Sequence, residues 1–282
     1  MVAFLSKLAA TAAALLGGVS CMVTPQGDAP RMLNAKPASA TARSSGLRGG
    51  DLQHVLATMN RTKAPCGCVA EDPSWKPCAR TTPRCVFIDL GAADGNSFNH
   101  FMQNGYGPVA NCPSNQWSAV LVEANPRFDS QLATVGKEHS NVKVMSATAA
   151  YMCEAKTSFF LDTVNTEKNY WGSSMSPSHP DVKKSGAKQK VTVPTMNLNR
   201  ILFEQTIPGD WVMVKMDIEG SEYDVLPCLA EAPAASLVDR LYLEQHDPTW
   251  GMIGTTPAQM EAAKAELRRK GVDIPKYFSW TL

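Results

Sequence analysis

Between Cys85 and Ser97 the chain reads Cys-Val-Phe-Ile-Asp-Leu-Gly-Ala-Ala-Asp-Gly-Asn-Ser, and no other stretch constrains the fold as tightly. A short apolar, β-branched run ending at Asp89 and Leu90 is the pattern of a buried strand. Gly91 and Gly95 then punctuate a turn, and Asn96 or Ser97 is placed to cap a helix over 98–105. Strand, glycine turn and helix start together suit a nucleotide-like ligand, because glycine lets the backbone approach it closely. The bland reading, a strand-turn-helix with structural glycines, stays open on this stretch alone. The spacing Asp-x-Gly-x-x-x-Gly is not the Gly-x-Gly-x-x-Gly of dinucleotide folds. That spacing argues against an NAD-dependent oxidoreductase, as does the lack of a tyrosine-lysine pair in a suitable frame.

The chain of 282 residues is long enough for one large α/β domain with appendages. A net charge of +1 gives no electrostatic case for nucleic acid or acidic substrates. Residues 1–21 carry Lys7, an apolar run from Leu8 to Leu16 and then Gly17, Gly18 and Ser20, which reads as a signal peptide or an uncleaved signal anchor. Residues 22–60 are expected to be a flexible linker, rich in Ala, Ser, Pro and Gly up to residue 50. Secretion, or passage through the secretory pathway, is the expected destination. A plastid reached by a two-part leader is the alternative, since the linker is basic and nearly free of acids.

Residues 61–84 form a cysteine-rich arm. Cys66, Cys68, Cys78 and Cys85 cluster before the first strand, with Cys112, Cys153 and Cys228 further on and Cys21 near the expected cleavage point. In an oxidising compartment the cluster reads as one or two disulfides pinning the arm to the sheet, with at least one thiol left over. In the cytosol the same four would read as a zinc site, for which Cys-x-Cys is poor spacing.

Trp117 to Val122 is the expected second strand, leading to Glu123-Ala124-Asn125-Pro126. An acid at that strand end sits where a ribose diol can donate two hydrogen bonds to it, usually about 20 residues after the first strand; a loop insertion over 106–117 accounts for the longer interval here. Arg127 to Glu138 reads as helix and Val142 to Ser146 as strand, followed by the small residues Ala147, Thr148, Ala149 and Ala150. Strands are expected around 159–161 and 191–193, enclosing a loop whose Tyr170 and Trp171 form a substrate lid or simply pack. A second apolar strand, Trp211 to Met216, delivers Asp217 and Glu219 to the sheet edge where open α/β folds bind ligands. Gly220 turns the chain into a helix near Ser221. Leu237 to Leu243 delivers Glu244, Gln245, His246 and Asp247 to the same edge, and 256–270 reads as helix. The last residues have room for one short strand or a strand pair.

These motifs, with Thr192-Val193-Pro194-Thr195-Met196-Asn197-Leu198 between them and Lys215-Met216-Asp217-Ile218-Glu219-Gly220-Ser221-Glu222 as hallmark, resemble the FkbM family of S-adenosylmethionine-dependent methyltransferases. The resemblance implies a doubly wound, mostly parallel, seven-stranded Rossmann-like sheet over 85–282. It also implies methyl transfer, usually to a hydroxyl of a carbohydrate or small natural product. It places Asp89, Gly91, Ala92, Asp94 and Gly95 at the methionine end of the cofactor, Glu123 and Asn125 at the ribose, and Ala147 beside the adenine. Asp217 faces the transferring methyl. The expected catalytic residues are His246 as general base, Asp217 to orient the acceptor or the imidazole, and Glu219 to support the turn. Asp217, Glu219, His246 and Asp247 are alternatively an oxygen-and-imidazole set for a divalent ion, although no spacing requires one. The expected partner is a small-molecule or glycan acceptor, with no nucleic acid, and with membrane contact only through an uncleaved anchor. A secreted binding protein that keeps the fold without the activity is the rival reading.

Overall fold

A computed structural model describes Cys66 and residues 74–107 and 116–277. The expected leader and most of the linker and arm lie outside these residues. In chain order the first half holds β1 (Cys85–Leu90), α1 (Asn96–Met102), β2 (Trp117–Val122), α2 (Asp129–Glu138), β3 (Val142–Met145), β4 (Ala149–Tyr151) and β5 (Lys156–Phe160). The second half holds α3 (Pro180–Lys184), β6 (Lys190–Asn197), α4 (Leu198–Gln205), β7 (Trp211–Met216), α5 (Glu222–Glu231), β8 (Arg240–Leu243) and α6 (Pro257–Arg269).

The central sheet runs β3-β2-β1-β7-β8 and every pairing in it is parallel. Its strands are near-continuous apolar runs because helices cover both faces. Val86, Ile88 and Leu90 alternate onto one face with Val120, Val214 and Met216, against α4, α5 and α6. Phe87, Leu121 and Met213 take the other face, against Phe98 and Phe101 of α1 and Leu132 of α2. Asp89 and Lys215 fall on this second face by the same period of two, so two charged side chains enter an otherwise apolar layer.

Five strands, not the expected seven, make this sheet among the described residues. After β3 the backbone turns at Ala147, whose φ is +45°, and the Thr148 amide bonds to the Glu123 carbonyl at 2.8 Å. The chain thereby leaves the line of β3. Strands β4 and β5 pair with β6 instead, as a separate three-stranded sheet with its own apolar contacts among Ala149, Phe159 and Val193. Beyond β8 the edge gains only a bridge between Arg240 and Asp273. Pro275 follows two residues later, without an amide to extend a ladder.

Helix boundaries differ from expectation where local capping is unusual. Helix α1 starts at Asn96 with Gly95 as its cap (φ 87°), and neither Asn96 nor Ser97 caps it. Helix α6 begins after Thr256 in a reciprocal capping box with Gln259. The expected strand over 237–243 is a 3-10 turn (Pro233–Leu237) and then β8. Helices α3 and α4 were not anticipated, although Asn197 caps α4 by accepting from the Asn199 amide.

The arm is tied down at several points. Cys66 and Cys228 form a disulfide, 162 residues apart in sequence, that fixes the arm to α5 rather than to the sheet itself. Cys78, Cys85 and Cys153 are also disulfide-bonded, and no described cysteine is free. Arg80 meets the buried Asp210 carboxylate at 2.7 and 2.6 Å, and Asp210 also accepts from the Arg84 amide. A cross-link closing so long a loop stabilises mainly by restricting the unfolded chain. Replacing both Cys66 and Cys228 by serine should cost about 2–5 kcal/mol, read as a lower urea midpoint under non-reducing conditions. An unchanged midpoint would show that the noncovalent contacts hold the arm alone.

Candidate active site

Register decides where the site lies. Leu90 is paired with both Val122 and Met216, so β2, β1 and β7 end level and release Gly91, Glu123 and Asp217 side by side. A β-carbon on Gly91 (φ +84°) would lie 1.8 Å from the Asp217 carbonyl oxygen. Only glycine lets the two strand exits touch there. The Gly91 and Ala92 amides both bond to the Val122 carbonyl, and the Asp217 amide to that of Leu90.

Glu123 is the organising group of this turn. One carboxylate oxygen accepts from the Ala93 amide at 2.7 Å and the other from the Asn125 amide at 2.6 Å. Ala93 has φ +44°, so the glycine turn is held partly by this acid. Burial pushes the Glu123 carboxyl up to about 7, against the pull of the Asn125 and Ala93 amides. Each oxygen keeps an acceptor lone pair, which is what a diol requires.

Asn125 also anchors the long loop, donating to the Ser173 hydroxyl at 3.0 Å. Asp94 meets the Asn169 amide nitrogen at 3.3 Å, and Arg127 stacks over the Tyr170 ring at 3.6 Å. The loop thus packs across the glycine turn. Ala92 is fully buried and Gly95 lies beneath it against α2.

Asp89 sits deeper than its neighbours. It is fully buried, neither carboxylate oxygen has a hydrogen bond, and the Lys215 ammonium stands 3.5 Å away. Burial raises its carboxyl to about 6, with Lys215 opposing. Lys215 donates to the Gly91 carbonyl at 2.9 Å and meets Asp217 at 3.1 Å. Burial works against the Lys215 charge, but Asp217 and Asp89 outweigh it and hold the ammonium well above its usual value. A buried carboxylate without a donor, beside a glycine turn and an acid with spare lone pairs, fits the ammonium and diol ends of an amino acid–nucleoside cofactor.

The other end of the site is built from β7 and β8. Glu219 (φ +52°) and Gly220 (φ +102°) turn the chain into α5, and a β-carbon on Gly220 would strike Trp250 at 2.5 Å. Glu222, fully buried at the start of α5, accepts from the Gly220 and His246 amides and bonds to His246 Nδ1 at 2.9 Å. His246 Nε2 is thereby aimed at Glu219, Asp217 and Glu244, at 3.5, 3.7 and 3.8 Å. Burial opposes a charge on this ring, yet Glu222, Glu219 and Asp217 raise it to about 10. Burial and then Asp217 raise Glu244 to about 7.

His179 is the residue that sequence reasoning missed. Its Nδ1 accepts from the Asp181 amide, so Nε2 carries hydrogen and donates to Glu219 Oε2 at 3.0 Å. Trp250 packs against both histidine rings, with centroids 4.2 Å from His179 and 5.3 Å from His246. Asp247, expected beside them, instead caps the turn at Pro248–Trp250 through Thr249 and stays outside the cluster.

Gly91 and Gly95 make a contrasting pair. Either residue as alanine bears roughly 1–2 kcal/mol for its left-handed backbone. Only Gly91→Ala also forces β1 from β7, since Gly95 has room beyond 3.6 Å. Thermal unfolding should show Gly91→Ala as the far less stable variant, by at least about 4 °C; equal melting temperatures would mean the strand exits separate easily.

Searches of curated proteins and of solved structures find no significant match. The family model described as "Methyltransferase FkbM domain" matches residues 89–271. That span runs from Asp89 past β8 and α6, so it contains both strand exits, the Glu123 turn and the His246 cluster. The chain belongs to the FkbM methyltransferase family.

Proposed function

We propose that the protein is an S-adenosylmethionine-dependent O-methyltransferase acting on a hydroxyl of a carbohydrate or small natural product. The carrying observation is the level ending of β2, β1 and β7, which sets Glu123 and Asp217 on either side of the Gly91 turn. The cofactor supplies a methyl group already activated as a sulfonium. Asp89, Gly91, Ala92, Asp94 and Gly95 hold its amino acid end, Glu123 and Asn125 its ribose, and Ala147 lies beside the adenine. Asp217 faces the methyl. Much of the rate then comes from positioning the acceptor in line and keeping water away, the work assigned to Asp217, Glu219 and His246 at the β7–β8 edge. The Cys66–Cys228 disulfide supports folding in an oxidising compartment such as the secretory pathway. No described helix is long and apolar enough to cross a membrane.

Replacing His246 by alanine should lower methyl transfer at least about hundredfold while S-adenosylhomocysteine still binds. Unchanged turnover would remove His246 from the reaction.

Cofactor binding should also release a proton. A diol donates to the ionised form of Glu123 and so lowers its pKa from about 7. Affinity should therefore rise as pH climbs from 6 to 8 and then level. Calorimetric titration in buffers of different ionisation enthalpy measures the released proton directly. Glu123→Gln should remove most of the release and of the slope, leaving the smaller share of Asp89 near pH 6; undiminished release and slope would place the cofactor elsewhere.

A further inference from the structure

We infer that Asp217, Glu219 and His246 form a binding site for a divalent cation. A ligand atom from each lies within 4.8 Å of the others, the span of one coordination sphere. The donors are two carboxylates and one imidazole nitrogen, a set that suits first-row divalent ions such as Mn²⁺.

The outer partners separate this cluster from a chance gathering of acids. Metal-binding imidazoles are generally fixed by a carboxylate on the other ring nitrogen. Glu222 does this for His246 at 2.9 Å while its oxygens also take two backbone amides, so it cannot swing away. His179 donates to Oε2 of Glu219 at 3.0 Å and so holds in place the oxygen that lies 3.5 Å from His246 Nε2. Lys215 holds Oδ2 of Asp217 at 3.1 Å and leaves Oδ1, the oxygen nearer to His246. Each donor is thus steadied from outside by a residue of a different segment: α5, the 161–189 loop and β7. Glu244 adds a fourth carboxylate at 3.8 Å from His246 Nε2. Four acids, Asp217, Glu219, Glu222 and Glu244, surround the Lys215 ammonium and the His246 imidazole, whose Nε2 gives up its proton to the solvent when it binds the ion. The interior of the cluster is left with an excess of negative charge.

The three donors remain partly open, with side-chain exposures of 23%, 21% and 11% for Asp217, Glu219 and His246. Three protein donors with an open side are the arrangement of a site that admits a substrate oxygen. That oxygen is the acceptor hydroxyl, a statement that rests on the methyl-transfer reading above; the cation site itself does not.

The test is titration of Mn²⁺ into the full chain, followed by electron paramagnetic resonance, with S-adenosylhomocysteine titrated separately. One Mn²⁺ per chain is expected, lost in Asp217→Asn and in His246→Ala. Glu222→Gln touches no ion and should still weaken binding about 10–100-fold. Asp247→Ala should change nothing. Absence of saturable binding to the folded wild type overturns the site, as does equal binding by a folded Asp217→Asn or His246→Ala chain. If S-adenosylhomocysteine binds and Mn²⁺ does not, this inference fails and the methyltransferase reading stands. If Mn²⁺ binds with the stated variant pattern and S-adenosylhomocysteine does not, the cation site stands and the cofactor reading falls.

Discussion

A buried ammonium holds the two halves of the site together. Lys215 rises near the C-terminal end of β7, bonds to the carbonyl of Gly91 and stands between Asp89 and Asp217. Burying Lys215 and Asp89 and half-burying Asp217 is costly unless each is matched, and here two carboxylates share one cation. The shortfall is visible in Asp89, which is left without a hydrogen bond on either oxygen. An apolar residue at position 215 would pack more simply. It would also leave the Gly91 turn and Asp217 with no common anchor, so the ion pair is better understood as fixing geometry than as adding stability.

Much of this was legible in the chain because the relevant signals are local. β1 and β7 are apolar runs broken only by Asp89 and Lys215, and a parallel sheet covered on both faces demands such runs. The acids that follow β7 and β2, Asp217 and Glu123, stand at the strand exits as their spacing implied. The departures come from contacts distant in sequence. Ala147 carries no mark of the left-handed backbone that turns the chain out of the sheet, and that turn separates five strands from three. His179 lies in a loop without a motif, and only folding brings it to Glu219, 40 residues later. Glu222 could be read as a favourable charge at a helix start. Its hold on His246 depends on β8 arriving beside it, which no local pattern records.

The same division explains why the end proposed for the cofactor is plainer than the end proposed for the acceptor. Glycine turns and strand-end acids are backbone features, set by one stretch at a time. The His246 cluster instead draws Asp217, Glu219, Glu222, Glu244 and His179 from three segments, with Trp250 wedged between the two imidazoles. A change confined to the β8 exit or to Trp250 would alter the His246 cluster without a direct contact to the Glu123 turn. A common fold can in this way keep one ligand and vary the other.

The contact between Gly91 and the Asp217 carbonyl has a thermodynamic side as well. The turn assigned to the cofactor and the acid assigned to the acceptor meet with no side chain between them. A ligand that settles one of them into place therefore also settles part of the other. Whatever free energy of ordering the first ligand has supplied is no longer required of the second, and linkage makes the benefit equal in both directions. The ligands proposed for the two ends would thus be coupled through a close backbone approach that the absence of one methyl group makes possible, beside the bridge that Lys215 already supplies.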